Sequence, residues 1–378
     1  MISSNGKQAE LVKLSWAYRE WFLARISDDY GDAGYARPMV YKLLVLKKAP
    51  EPPLPFSARQ ESEAEWFEAR YDFLAMHFAS AETPPNPLGK EVDRHCRYCL
   101  KSEPETSFQT VAHAFPHMIG NHWLVDYWEC DACNMHFSKY LESDFGAWTL
   151  PLRGIAAVEG KNGVPTLVSP DQKIRIEVDE HGRRTIRIEH GATGFELDEI
   201  NKTIQFPVNR PSFNPMGAFK SLVKMALSVM PEIEAAKSAH LRKWLLEPGH
   251  STESFPYKPL IVLCEFFPGL ISPDQFTFGL LRRKRGAPDD CPYMQFFLQF
   301  ANQVFQIAVP MPNKDRRIIG RPITLVRFPT PWTSEEYVHM HGPSFLSVED
   351  LSSHRRRRSA ATKMSLGFEA LVLADSAT

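Results

Sequence analysis

The sequence has no strong excess of charge of either sign and no long apolar run. Its 378 residues include 44 Lys and Arg against 45 Asp and Glu, for a formal net charge of −1. The chain therefore has no overall positive charge that would favour binding to nucleic acid. Local basic patches can still make such contacts. No stretch reaches the roughly 18 apolar residues of a membrane span, and the first residues show no apolar signal-peptide core. We expect a cytoplasmic protein with no membrane partner.

Cysteine is scarce as well, and its placement is informative. Six cysteines are too few for a disulfide scaffold, yet four form two C-x2-C pairs, Cys96 with Cys99 and Cys130 with Cys133. Each such turn directs two sulfurs to one point, and two turns complete a tetrahedral Zn²⁺ site. A redox C-x-x-C normally stands alone at a helix start. The spacing therefore predicts a structural zinc.

Residue patterns divide the chain into three regions. Region 1–92 has helical periodicity at 9–28 and 61–80, interrupted by proline-rich segments. Region 93–154 holds the cysteines and reads as strand, strand, helix. Region 155–378 reads as α+β, with a hairpin at 173–190 and a helix start at Asn214-Pro215. Its other expected elements are a helix at 232–247 and β-rich runs at 259–267, 276–284, 294–309 and 323–329. We expect a multidomain α+β protein.

The segment between the cysteine pairs contains groups suited to hydrolysis. His113 ends a β-prone run, and an imidazole with a pKa near neutrality can take a proton from water. Asn134 follows Cys133 directly, and its amide oxygen is a hard ligand for a divalent ion. A metal against a scissile phosphate, with a histidine to activate water, is the arrangement of metal-assisted hydrolysis. The alternative for His113 is a hydrogen-bonded structural histidine.

Over about 60 residues the chain resembles the zinc-braced subgroup of HNH (ββα-metal) endonucleases. The resemblance is carried by three segments in the family's order, CRYC, AHAFPHMIGN and CDACNMHF. The resemblance implies a zinc-stabilised ββα module between the helical region and the larger α+β region. It implies that His113 is the general base and that Asn134 is a ligand of a catalytic Mg²⁺ or Mn²⁺. Asn121 would be the loop residue that positions the base, and Phe137 would pack the helix onto the hairpin.

One position departs from the family pattern. The residue before the base is usually Asp, Glu or His and ligates the catalytic metal, whereas this chain has Ala112. Either another group completes the coordination, or the nuclease chemistry is weakened or lost. The candidates for that group are His117, His122, His136 and Asp126.

The resemblance predicts a metal-dependent endonuclease that cleaves DNA, as an effector of bacterial defence or of a mobile element. Region 155–378 would serve recognition or sensing. Its basic runs, at 282–285, 316–317 and 354–358, are candidates for phosphate contacts or are simply solvated surface. A homodimer and a small-molecule or protein activator stay open as partners. The alternative is a non-catalytic zinc-containing nucleic-acid-binding or sensor protein with a degenerate HNH site.

Overall fold

The computed structural model describes residues 58–79, 86–178, 184–250, 259–269, 275–288, 290–321, 323 and 325–367. The expected helix at 9–28 and the proline-rich segment at 47–57 lie outside these residues. None of the described helices has the length and apolar character needed to cross a membrane.

The described elements are helices and strands in mixed order, which confirms the α+β class. The helices are α1 (Ala58–Arg70), α2 (Asp131–Phe137), α3 (Ser143–Ile155), α4 (Pro215–Ser228), α5 (Glu232–Ala236), α6 (Ala239–Leu245) and α7 (Glu335–His341). The strands are β1 (Tyr71–Ala79), β2 (Leu167–Val168), β3 (Ile174–Val178), β4 (Arg184–Ile188), β5 (Glu196–Asp198), β6 (Thr203–Arg210), β7 (Ile261–Phe266), β8 (Phe276–Arg283), β9 (Met294–Phe300), β10 (Gln303–Ala308), β11 (Phe345–Asp350) and β12 (Ala360–Gly367).

The largest sheet has six strands in the order β1-β8-β9-β10-β7-β11, and each neighbouring pair is antiparallel. All residues of β9 are buried, so the first part of the β-rich run at 294–309 belongs to the core. Two sheets of three strands accompany it, β2-β3-β4 and β12-β6-β5. Strands β3 and β4 pair with Ile174 opposite Ile188, which confirms the predicted hairpin.

Two predicted elements were wrong. The helix expected over 61–80 ends at Arg70, and the following residues form β1, because pairing with β8 satisfies their backbone groups and buries Tyr71. No strand forms over the described residues of 323–329. There the Gln306 side chain donates to the Val326 carbonyl at 2.9 Å and accepts from the Phe328 amide at 2.8 Å, so a side chain takes the place of a neighbouring strand.

The helices of the C-terminal half begin and end near their predicted bounds. Asn214 caps α4 by accepting a hydrogen bond from the Gly217 amide at 3.3 Å, with Pro215 in the first turn. The helix expected at 232–247 is divided into α5 and α6. Helix α4 is buried along its whole length.

The cysteine region and the large sheet share one hydrophobic core. Phe115 stacks on Phe278 with ring centroids 4.6 Å apart, and Trp123 stacks on Phe276 at 5.3 Å. The core also takes in Phe137 and residues of α3 and α4. The region boundaries at 92 and 154 stay a prediction.

A five-residue π-turn, Ser138–Glu142, joins α2 to α3. The Ser143 amide donates to the Ser138 carbonyl, five residues back, whereas the Ser138 amide donates to the Asn134 carbonyl, four residues back. The two helices and the turn therefore form one continuous rod with a single widened turn.

Candidate metal centre

The four predicted cysteines converge on one point. The Cys96 and Cys133 Sγ atoms are 3.7 Å apart, as are those of Cys99 and Cys130, and all four lie within 4.8 Å of one another. A regular tetrahedron with edges of 3.7 Å has its centre about 2.3 Å from each vertex, which is the zinc–sulfur distance. The donor set therefore fits a structural Zn²⁺.

Backbone hydrogen bonds shape both cysteine turns. In the first turn the Leu100 amide donates to the Cys96 carbonyl at 2.9 Å. In the second, Cys130 caps α2 and the Asn134 amide donates to its carbonyl at 2.9 Å. The Arg97 amide donates to the Trp128 carbonyl at 2.7 Å, which ties the two turns together.

Between the cysteine pairs the chain forms a narrow hairpin. The Ala114 amide donates to the Leu124 carbonyl at 3.0 Å, and the Asp126 amide donates to the Ala112 carbonyl at 2.9 Å. His113 lies between these two bonds, opposite Val125. Two short arms followed by α2 form the expected ββα order, although the arms are only bridges and not full strands.

Asn121 braces the loop of this hairpin. Its side chain is fully buried and donates to the Phe115 carbonyl at 2.8 Å. The same amide accepts from the Leu124 amide at 2.9 Å and from the Trp123 amide at 3.2 Å. These bonds fix the loop that begins two residues beyond His113.

Three histidines lie side by side at the hairpin. The His113 and His117 ring centroids are 5.8 Å apart, and His117 Nε2 lies 2.9 Å from His122 Nδ1. Burial, together with His117 and the cation of Lys161, lowers the pKa of His113 to about 4. His113 is therefore neutral at pH 7 and able to accept a proton.

The remaining predicted ligands lie in other surroundings. Asn134 is half-buried on α2, one turn beyond Cys130. His136 Nε2 lies 3.1 Å from the Leu245 carbonyl. Asp126 is buried and accepts from the Trp128 amide at 3.0 Å. Ala112 is 3% exposed, so its methyl group occupies a closed position next to His113 in the chain.

Three charged residues at this site were not predicted from the sequence: Lys224 of α4, Glu129 and Glu142. Lys224 Nζ lies 2.9 Å from Glu129 Oε2 and 3.8 Å from Glu142 Oε1. Burial raises the pKa of both carboxyl groups, and the Lys224 cation opposes the shift. One signal was available: Lys224 interrupts an apolar helical run, SLVKMALSV, with a single charge.

Comparison with known proteins agrees with this geometry. Residues 96–148 match the family model described as HNH endonuclease. The match begins at the first cysteine and contains His113, Asn121 and Asn134. The cysteine region is thus a zinc-braced HNH module, and its family supports a nuclease that acts on nucleic acid. No curated protein and no solved structure matches the chain.

Proposed function

We propose that this protein is a metal-dependent endonuclease that hydrolyses phosphodiester bonds in DNA, with His113 as general base. The observation that carries the proposal is a neutral histidine, held on a zinc-braced hairpin, within a segment that matches the HNH endonucleases. A role in bacterial defence or in a mobile element belongs to the proposal on the family resemblance alone.

His113 would take a proton from the attacking water. Because burial keeps its imidazole unprotonated, the base is in its reactive form at neutral pH without a neighbouring carboxylate. The hydrogen bonds of Ala114 and Asp126 hold its backbone on both sides, which limits the directions in which the ring can point.

The donors predicted for this module suit a divalent cation that is shared with the substrate. Mg²⁺ takes one or two protein oxygens and otherwise binds water and phosphate. Among the described residues, only the four cysteines form a metal-like cluster of three or more His, Cys, Asp or Glu groups. We assign Asn134 and His117 as the protein ligands. His136 is the further candidate, and His122 lies beside His117. When bound, Mg²⁺ or Mn²⁺ would stabilise the charge that develops on the phosphate.

The basic run at 354–358 is the best candidate for DNA contact. Arg355, Arg356 and Arg358 are exposed, and Arg356 is at the same time paired with Asp144, while the half-buried Arg357 is paired with Glu349. Arg282, by contrast, is held in ion pairs with Asp72 and Glu234 within the fold. Exposed guanidinium groups fixed by neighbours suit contacts to phosphate oxygens.

Plasmid cleavage in Mg²⁺ or Mn²⁺ tests the proposal. His113→Ala should lower the cleavage rate by about 100-fold or more, the usual contribution of a general base. His95→Ala is the matched control, because His95 is an exposed histidine of the same module. Zinc content should stay unchanged in both variants. Cleavage that survives His113→Ala would remove His113 as the base.

A second function is favoured by Ala112. Its closed position offers no ligand where the family has one, as expected of a zinc-containing nucleic-acid-binding or sensor protein with a degenerate site. In that case the wild-type protein would bind DNA and fail to cut it with every divalent ion tried. Cleavage that depends on His113 would exclude this alternative.

A further inference from the structure

Lys224 is a buried cation that contacts the hairpin from outside the matched segment. Its side chain is 1% exposed. Its Nζ donates to the His113 carbonyl at 2.8 Å and to the Ala114 carbonyl at 3.3 Å, in addition to its ion pairs with Glu129 and Glu142. One ammonium group therefore contacts the first arm of the hairpin, the residue before Cys130 and the π-turn.

These contacts leave the ammonium group little freedom. An ammonium has three N–H donors, and two backbone carbonyls with one carboxylate use all three. The partners come from parts of the chain that are distant in sequence, so this one group joins the His113 arm to the residue before Cys130 and to the turn that follows the helix carrying Asn134. The Lys224 ammonium also lies 5.8 Å from the Phe137 ring centroid.

Helix α4 also contacts the first cysteine turn. Arg97 Nη1 donates to the carbonyls of Leu227, Ser228 and Met230 at 2.6, 2.7 and 2.8 Å, where the last carbonyls of a helix lack partners within it. The Tyr98 hydroxyl lies 2.7 Å from Ser228 Oγ. The last turn of α4 is thus bonded to the zinc module at several points.

We propose that Lys224 is a positioning residue of the nuclease centre: it sets the place of His113 relative to the metal-binding helix. The inference rests on the proposed nuclease function. It makes α4, which lies outside the segment 96–148, a necessary part of the centre.

Lys220 provides a matched control. It lies one turn earlier on α4 and is equally buried, but its Nζ donates to the Glu247 carbonyl at 3.0 Å and lies over the Trp244 ring. Lys220→Met therefore removes a buried lysine of the same helix whose hydrogen bond goes to Glu247 and not to the hairpin.

The kinetic test compares the full-length variants Lys224→Met and Lys220→Met with Mg²⁺ or Mn²⁺ and a plasmid substrate. Lys224→Met should lower kcat about 100-fold, the effect of a displacement of about 1 Å in a reacting group, and leave KM unchanged. Lys220→Met should leave kcat unchanged after correction for the folded fraction. Lys224→Arg, which keeps the charge, should recover most of the rate. Equal kcat values for the two Met variants would overturn the proposal.

Lys224→Met leaves Glu129 without its buried cation and the chain could fail to fold for that reason. The double variant Glu129→Gln/Lys224→Met removes both charges and should show the same loss of kcat with zinc still bound. A double variant that cuts at the wild-type rate would show that positioning does not depend on the ammonium.

Hydrogen exchange separates this inference from the nuclease proposal. In Lys224→Met the Ala114 and Asp126 amides should exchange about tenfold faster than in Lys220→Met, because local opening of the hairpin costs less. The Leu100 amide in the first cysteine turn serves as the internal reference. Should the wild-type protein not cut DNA, this result stands alone, and equal exchange of the hairpin amides in both variants would overturn the inference.

Discussion

Buried His250 predicts a specific loss of stability in mild acid. The residue is 6% exposed, and burial, aided by the cation of Lys220, lowers its pKa to about 4, against about 6.5 in an unfolded chain. As the pH falls below 6.5 the unfolded chain takes up the proton first. The contribution of neutral His250 is therefore fully present above pH 6.5 and is lost between pH 6.5 and 4. At pH 5 the loss amounts to about 2 kcal/mol.

Urea unfolding at pH 7.5, 6.5, 5.5 and 5.0 measures this loss. Wild type is compared with His250→Gln, whose side chain does not titrate in this range. The free energy of unfolding of wild type should fall by about 2 kcal/mol more than that of the variant between pH 7.5 and 5. Glu129 and Glu142, whose pKa values are raised, change stability in the opposite direction, and zinc release adds to acid sensitivity. Both effects are common to the two proteins and cancel in the difference. Parallel curves would refute the assignment of a neutral buried His250.

Three further predictions concern the module and its contact with α4. Metal analysis should find about one zinc per chain, and Cys130→Ser should lose it and unfold the module by circular dichroism; a folded zinc-free protein would contradict this. Cleavage should stay constant from pH 8 to about 5 and fall near the His113 pKa of about 4, whereas an acid limb at 6.5 would contradict its burial. Gly217→Ala should destabilise the protein to urea by about 1–3 kcal/mol, because its Cβ would lie 2.4 Å from Asp144 Oδ2. Unchanged stability would argue against this close approach.

Local chemistry explains the elements that the sequence predicted well. Two C-x2-C turns specify a tetrahedral thiolate site whatever surrounds them, and the structure brings all four sulfurs together. Asn214 followed by Pro215 specifies a helix start through one side-chain bond and one fixed backbone angle. Each of these signals is complete within a few residues.

The features that were missed depend on distant partners. Residues 71–79 continue a helical pattern, yet β8, some two hundred residues away, pairs with them and converts them to a strand. Residues 323–329 are β-prone, yet Gln306 binds their backbone instead of a neighbouring strand. Lys224 carries a visible signal as a lone charge in an apolar helix, but its partners are set by tertiary packing.

The π-turn Ser138–Glu142 has a consequence for how the module is joined to the rest of the chain. Each residue of an α-helix advances the rotation by about 100°. If the same residues formed a regular α-helical ladder, every side chain of α3 would be rotated by about one such step around the axis. Trp148 and Phe145, which now contact Phe305, would then face another direction. The widened turn thus sets the rotation of α3 relative to α2. It allows α2 to face the cysteine site while α3 faces the sheet.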